Sequence, residues 1–155
     1  MRPRSWIALV GFILLAQGAG IVGALFTTPS IPTWYATLVR PDLAPPNWVF
    51  GPVWTTLFLL MGIAAYLVWR KHAHTRRALG LFFLQLGLNV LWSFLFFGLH
   101  NPGAAFVEII LLWIAIALTM RAFWHYSKVA ALLLLPYLAW VTFAGILNYF
   151  IWILN

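Results

Sequence analysis

WYATLVRPDLAPPNWVFGPVW, residues 34–54, is the stretch whose reading decides the fold. It lies between two long apolar runs and holds Pro41, Pro45, Pro46, Gly51 and Pro52, three tryptophans (Trp34, Trp48, Trp54) and Asp42, the one acid outside an apolar run. Proline fixes φ and biases the residue before it towards extended backbone, so Arg40-Pro41 and Ala44-Pro45-Pro46 predict a rigid, non-helical cover. Proline is welcome in a first helical turn, where its missing N–H has no partner to lose. The next helix is therefore expected to begin near Pro46, with Pro52 tilting or kinking it one or two turns in. The stretch reads as a lid over 27–45 followed by one wall of a pocket, with Trp54 the first aromatic of that wall.

Outward from this segment the chain is almost entirely apolar. Of its 155 residues, 65% are hydrophobic and 7% charged, and the mean hydropathy is +0.98. No soluble domain hides that much apolar surface, so the class is an all-α integral membrane protein. Five apolar runs, at about 5–26, 46–69, 79–99, 103–124 and 129–152, are each near the ~20 residues that cross a bilayer as a helix. None alternates as a strand would, so a single domain over 1–155, a five-transmembrane-helix bundle, is expected. The first run follows Arg2 and Arg4, but it is longer than the ~7–15 apolar residues of a secretory signal and is kept as a helix. Within it Ala16, Gly20 and Ala24 recur every four residues, a stripe for close packing inside the bundle or for a dimer face.

Arg2, Arg4, Arg70, Lys71, Arg76, Arg77, Arg121 and Lys128 fall on one side of the predicted bundle and Arg40 alone on the other. That asymmetry puts the N-terminus in the cytoplasm, with the lid and the C-terminus opposite. A formal charge of +7 raises nucleic acid as a partner, but the cations mark helix ends and no base-reading fold surrounds them. The basic link 70–77 reads as an orientation signal and anchor more than as a lipid head-group patch. His72 and His74, two apart with no third ligand near, make no metal site. With no cysteine there is no thiolate nucleophile, disulfide or iron–sulfur site. No cofactor is expected.

Polar side chains in hydrocarbon are costly and turn to the bundle interior. Helix three carries Gln85, Asn89, Trp92, Ser93 and Phe96 on one face, and helix five carries Tyr137, Trp140, Ala144, Asn148 and Trp152. Asn89 and Asn148 are then either interhelical hydrogen-bond glue or the polar groups of a pocket walled by Trp54, Trp92, Trp140 and Phe143. Trp6, Trp48, Trp69, Trp124 and Trp152 fall at run ends, where an interfacial belt accounts for them. Glu108 is the one acid inside an apolar run. It reads as a proton-coupled transport residue, a ligand-binding carboxyl or a helix–helix hydrogen-bond donor, and the last is favoured because no basic residue inside the membrane partners it. No grouping of Ser, His and Asp suggests nucleophilic catalysis.

The sequence resembles the TspO/translocator protein family, the tryptophan-rich sensory proteins or peripheral-type benzodiazepine receptors, over nearly its whole length. The residues that carry the resemblance are Trp34-Tyr35, Leu38 and Pro41; Pro45-Pro46 and Trp48; Pro52, Trp54 and Leu57; Gln85-Leu86, Leu88-Asn89 and Trp92; Phe96-Phe97-Gly98; and Pro136 through Trp140, Phe143-Ala144 and Leu147 through Tyr149 to Trp152. It implies a five-helix bundle, commonly a homodimer, that binds porphyrins such as protoporphyrin IX and haem, isoquinoline or benzodiazepine drugs and, in animals, cholesterol. It also implies that Trp54 and Trp140 match two tryptophans tied to light-dependent porphyrin breakdown. Tyr35, Asn89, Trp92, Trp124, Phe143, Ala144 and Asn148 match pocket-lining or pocket-supporting positions, and Glu108 stands where relatives carry an acid. Two departures matter, the first for the lid and the second for the ligand. Leu43 replaces a tryptophan usual after the basic–proline pair, and no basic residue follows Tyr149, which removes the proposed sterol motif and favours a tetrapyrrole.

The function expected is a membrane receptor or sensor that takes a flat hydrophobic ligand between Trp54 and Trp140, its polar edges met by Asn89 and Asn148 and its surroundings by Tyr137. Porphyrin degradation with Trp54 or Trp140 as electron donor and tetrapyrrole or sterol transport are the alternatives. Carriers are usually built from inverted repeats or paired broken helices, and the sequence has neither.

Overall fold

The computed structural model describes residues 3–71 and 74–155, the side chains of residues 3 and 4 excepted, so the expectations at Arg2, Arg4 and His72 lie outside it. Among the described residues all the regular structure is helical. Helix α1 spans Pro3–Ser30, α2 Phe50–Trp69, α3 Arg76–Ser93, α4 Pro102–Trp124, α5 Lys128–Leu133 and α6 Leu135–Leu154. With their flanking turns they make 5 spans long and apolar enough to cross a membrane, α5 and α6 together forming the last.

The first span runs further than the sequence implied. Beyond Ser30 the chain continues through a wide π-turn, Ile31–Tyr35, so the non-helical cover is confined to about 38–46 rather than 27–45. The reason is local. A proline in an α-helix crowds the carbonyl four residues back, and a turn widened by one residue makes room for the ring, so the chain stays helical past Pro29 and Pro32. Polar side chains then bond the turn: the Thr33 hydroxyl donates to the Pro29 carbonyl at 2.8 Å and the Ser30 hydroxyl to the Phe97 carbonyl at 2.8 Å. Phe97 itself lies in a second π-turn, Phe94–Gly98, which ends the third span. His100 follows at φ 53°, and its ring stacks on Trp34 at 4.4 Å, locking the two wide turns together.

Pro46 stays extended, and a 3-10 turn over Asn47–Val49 precedes α2. Pro52 falls in the first turn of α2, where no N–H is needed, and the helix continues unbroken through it. Pro136 acts differently: its missing N–H interrupts the fifth span at Leu134, which bonds back only three residues, to Ala131 at 3.1 Å. Helix α4 starts where Asn101 accepts a hydrogen bond from the Ala104 amide at 3.0 Å.

Helix α1 packs on α2 and α3, α3 on α4, α4 on α5 and α6, and α2 on α5. Lipid is as apolar as the helices, so close contact rather than water exclusion drives this association. Gly62 shows it most plainly: a Cβ there would sit 2.7 Å from the Ile13 Cα and 2.9 Å from the Phe12 carbonyl. Of the small stripe on α1, Ala16 is fully buried and Gly20 lies under the Phe58 ring, so those two positions serve packing within the bundle. Ala24 is exposed to a cleft described below. Trp6, Trp48, Trp124 and Trp152 sit exposed at helix ends, as a belt requires.

Candidate functional site

Helix α2 touches α5 but draws away from α6, and aromatic rings fill the gap. Phe50 and Trp54 are four residues apart and so share a face of α2. Trp140, Ala144 and Asn148 share one of α6. The Trp54 and Trp140 rings meet edge to face at 6.5 Å, Phe50 meets Trp140 at 6.0 Å, and Trp54 meets Tyr137 at 6.3 Å. From α3 and its π-turn come Trp92 and Phe96, stacked at 5.2 Å. Tyr35, carried inward by the first π-turn, packs on Phe50 and Phe97.

These side chains enclose a small cavity lined by Tyr35, Phe50, Trp54, Trp92, Trp140, Ala144 and Asn148, with about 20 Å³ of free space. That holds one water and little more. On the other side of Phe50, Trp54, Trp92 and Phe97 lies a cleft of about 430 Å³, bounded by Gly20, Gly23, Ala24 and Thr27 of α1, by Thr55 and Phe58 of α2, and by Asn89 and Ser93 of α3. The cleft has the size of a small-molecule site and the aromatic cavity does not. The same aromatic wall therefore faces two spaces, one tight and one roomy.

Both amides work as interhelical bonds. Asn89 Nδ2 donates to the Tyr137 hydroxyl at 2.9 Å. Asn148 accepts from Trp92 Nε1 at 3.0 Å and donates to the Pro102 carbonyl at 2.7 Å, tying α6 to α3 and α4. The Tyr35 hydroxyl and Trp140 Nε1, by contrast, are buried without a partner among the described residues. They are the uncommitted donors of the aromatic cavity, and nothing in the sequence marked them as such, because a donor's vacancy depends on what the fold brings near it.

The lid closes this end. The Val39 amide donates to Asn155 Oδ1 at 3.0 Å, and Asn155 Nδ2 donates back to the Val39 carbonyl at 3.0 Å. Arg40 lies 5.4 Å from the Tyr35 ring and donates to Asn47 Oδ1 at 3.3 Å.

Of the residues singled out in the sequence, Tyr35, Trp54, Trp92, Trp140, Ala144 and Asn148 come together around the small cavity, and Asn89 faces the larger cleft. Tyr137 is buried behind Trp54 and supports rather than lines either space. Phe143 packs on Trp140 at 5.4 Å without reaching either lining. Trp124 does not join them: it stands 48% exposed at the end of α4, beneath the Lys128 ammonium, the opposite end of its helix from Asn101. Phe50 and Phe97 were not singled out as pocket residues, although they line both spaces. Glu108 is buried with neither carboxyl oxygen hydrogen-bonded among the described residues, so the expected helix–helix bond is not formed. No group of three His, Asp or Glu side chains gathers among the described residues.

This architecture of five spans, with tryptophans of the second and fifth meeting under a proline-rich lid, has relatives. Residues 12–153 match the TspO/MBR family. The chain belongs to that family. It is 50% identical over 150 residues to the tryptophan-rich protein TspO of Archaeoglobus fulgidus, covering 96% of this chain and 97% of that one. It is 42% identical over 156 residues to the translocator protein of Homo sapiens, covering 98% and 92%, and 34% identical over 145 residues to the tryptophan-rich sensory protein of Cereibacter sphaeroides, covering 94% and 89%. Like the TspO/MBR family as a whole, the chain is an integral, multi-pass membrane protein.

Proposed function

We propose that this protein is a membrane receptor or sensor whose ligand is a flat, hydrophobic ring system of the tetrapyrrole class, with isoquinoline or benzodiazepine compounds as further ligands. The observation that carries the reading is the wall of Phe50, Trp54, Trp92 and Phe97, with Trp140 edge-on behind it, facing a cleft of about 430 Å³. An extended π-surface stacks on such a wall with little conformational entropy to lose. The sensory and translocator names of the relatives support the receptor or sensor part of this reading. The aromatic cavity takes the ligand only if it widens, and the hinges for that are the lid's few bonds at Val39 and Arg40. Tyr35 and Trp140 then offer their hydrogens to a carbonyl or carboxylate on the ligand.

Protoporphyrin IX titrated into the detergent-solubilised protein is expected to quench tryptophan fluorescence saturably and to shift the porphyrin's Soret band. Trp54→Leu is expected to weaken binding by about threefold to tenfold, an aromatic contact being worth roughly 0.5–1.5 kcal/mol. Trp6→Leu, on the outer surface, leaves it unchanged. Equal affinity in all three proteins contradicts the site.

Close approach of two oxidisable indoles in a water-poor space favours a second reading, light-driven porphyrin breakdown by oxygen with Trp54 or Trp140 as electron donor. Equal loss of the Soret band under illumination in the wild type and in the double variant Trp54→Phe with Trp140→Phe removes it.

A further inference from the structure

The chain has two acids against nine lysines and arginines. Asp42 lies in the lid, and Glu108 is buried inside the bundle with no partner. The end of the bundle that carries Arg70, Lys71, Arg76, Arg77, Arg121 and Lys128 therefore has no carboxylate of its own to neutralise it. Counter-charge has to come from outside the molecule.

One place on that end is shaped to receive it. Between the last turn of α4 and α5 lies a pocket of about 300 Å³ lined by Met120, Arg121, Trp124, His125, Ala131 and Leu132. Its composition is divided: a guanidinium and an imidazole on one part, a thioether, an indole and an isobutyl group on the other. Lys128 stands 5.6 Å from the Trp124 ring centre, adding a second full positive charge at the rim. The pocket's frame is fixed. Ser127 caps α5 through the Ala130 amide at 3.2 Å, and the Tyr126 hydroxyl donates to the His74 carbonyl at 2.9 Å, tying the α4–α5 turn to the start of α3.

We propose that this pocket is a binding site for an anionic phospholipid. Its phosphate meets Arg121, His125 and Lys128, and the first methylenes of its chains lie on Met120 and Leu132. A soluble phosphate has use for the cations and none for the apolar part; a lipid uses both. Arginine binds phosphate through two N–H groups at once, which a diffuse basic surface does not provide. Trp124, half exposed beside the cations, sits as an indole sits at the head-group level of a bilayer.

Native mass spectrometry of the full chain, released from mixed phosphatidylcholine and phosphatidylglycerol, tests the assignment. Wild type is expected to retain phosphatidylglycerol in preference to phosphatidylcholine. Arg121→Gln should reduce that preference by about fivefold, close to the loss expected for one cation at an anionic surface. Leu132→Glu, an exposed change that sets a like charge in the same pocket, should reduce it as much and provides the reading if Arg121→Gln does not fold. Arg76→Gln with Arg77→Gln, on the same end but outside the pocket, should leave it unchanged. Undiminished preference in whichever pocket variant folds overturns the proposal, and so does an equal loss in the Arg76 and Arg77 pair, since that means a diffuse field. Displacement of the lipid by millimolar inorganic phosphate also overturns it, by making the pocket a site for free anions.

Discussion

At the scale of single residues, the interior shows two ways of treating a polar group in hydrocarbon. Asn148 uses both ends of its amide, on Trp92 and on the Pro102 carbonyl, so it is cohesive. Glu108 is also buried and bonds nothing among the described residues. An unsatisfied buried polar group costs about 1–3 kcal/mol, whereas an apolar side chain of similar shape costs nothing there. Glu108→Met is accordingly expected to raise thermal stability in detergent, by up to about 1 kcal/mol. Asn148→Leu is expected to lower it by a similar amount, the usual scale of such bonds in membranes being about 0.6 kcal/mol with a tail above that. A fall in melting temperature for Glu108→Met would show that the carboxyl does hold two helices together. Residue types and spacing sufficed to find Trp54, Trp92, Trp140 and Asn148 as neighbours, because positions four apart share a face and polar faces turn inward. They did not show that both amides would be consumed within the bundle, by Tyr137, Trp92 and the Pro102 carbonyl, leaving Tyr35 and Trp140 as the free donors. Trp124 was assigned to the pocket by resemblance alone; in the fold it is a surface residue of the opposite end.

At the scale of elements, prolines decided where helices end, and their effect depended on position. Pro52 in a first turn is silent, Pro136 in mid-span breaks the fifth crossing at Leu134, and Pro29 with Pro32 widen a turn without ending the helix. Counting prolines gave the existence of the lid and misplaced its start, since a π-turn keeps the chain helical where an α-turn cannot form. Packing between elements was less legible still. Gly62 carries no distinguishing neighbour in the sequence, yet it is where α1 and α2 touch backbone to backbone. Gly62→Val is expected to cost about 1–3 kcal/mol, the range for overpacking a tight contact, read as a fall in melting temperature. Gly80→Ala, with nothing within 4 Å of its Cβ, is expected to be neutral or stabilising by up to about 1 kcal/mol through helix propensity. Similar losses at both sites would mean that the helices are not in close contact at Gly62.

At the scale of the whole molecule, charge is sorted to one end and the aromatic site to the other. The five-span bundle was fully legible, since run length and hydropathy answer to bilayer thickness and to nothing else in the chain. Sidedness rests on the cation count, and the absence of cysteine makes it directly measurable. Single cysteines at Lys71 and Lys128 are expected to react with an impermeant maleimide only from the cytoplasmic side of membrane vesicles, and one at Asp42 only from the other. Labelling of all three from one side would mean that α2, which separates Asp42 from Lys71, does not cross.

The two wide turns have a geometric consequence for the lid. A π-turn holds one residue more than an α-turn, and each residue of a helix turns the chain by about 100°. Were Ile31–Tyr35 to rewind into regular helix by expelling that residue, everything beyond would swing by roughly this angle. The Tyr35 phenol would leave the aromatic cavity, and the Val39 backbone would swing off the Asn155 amide that now holds it. The winding of the first crossing thus sets whether the tryptophans beneath are covered, with no side chain altered.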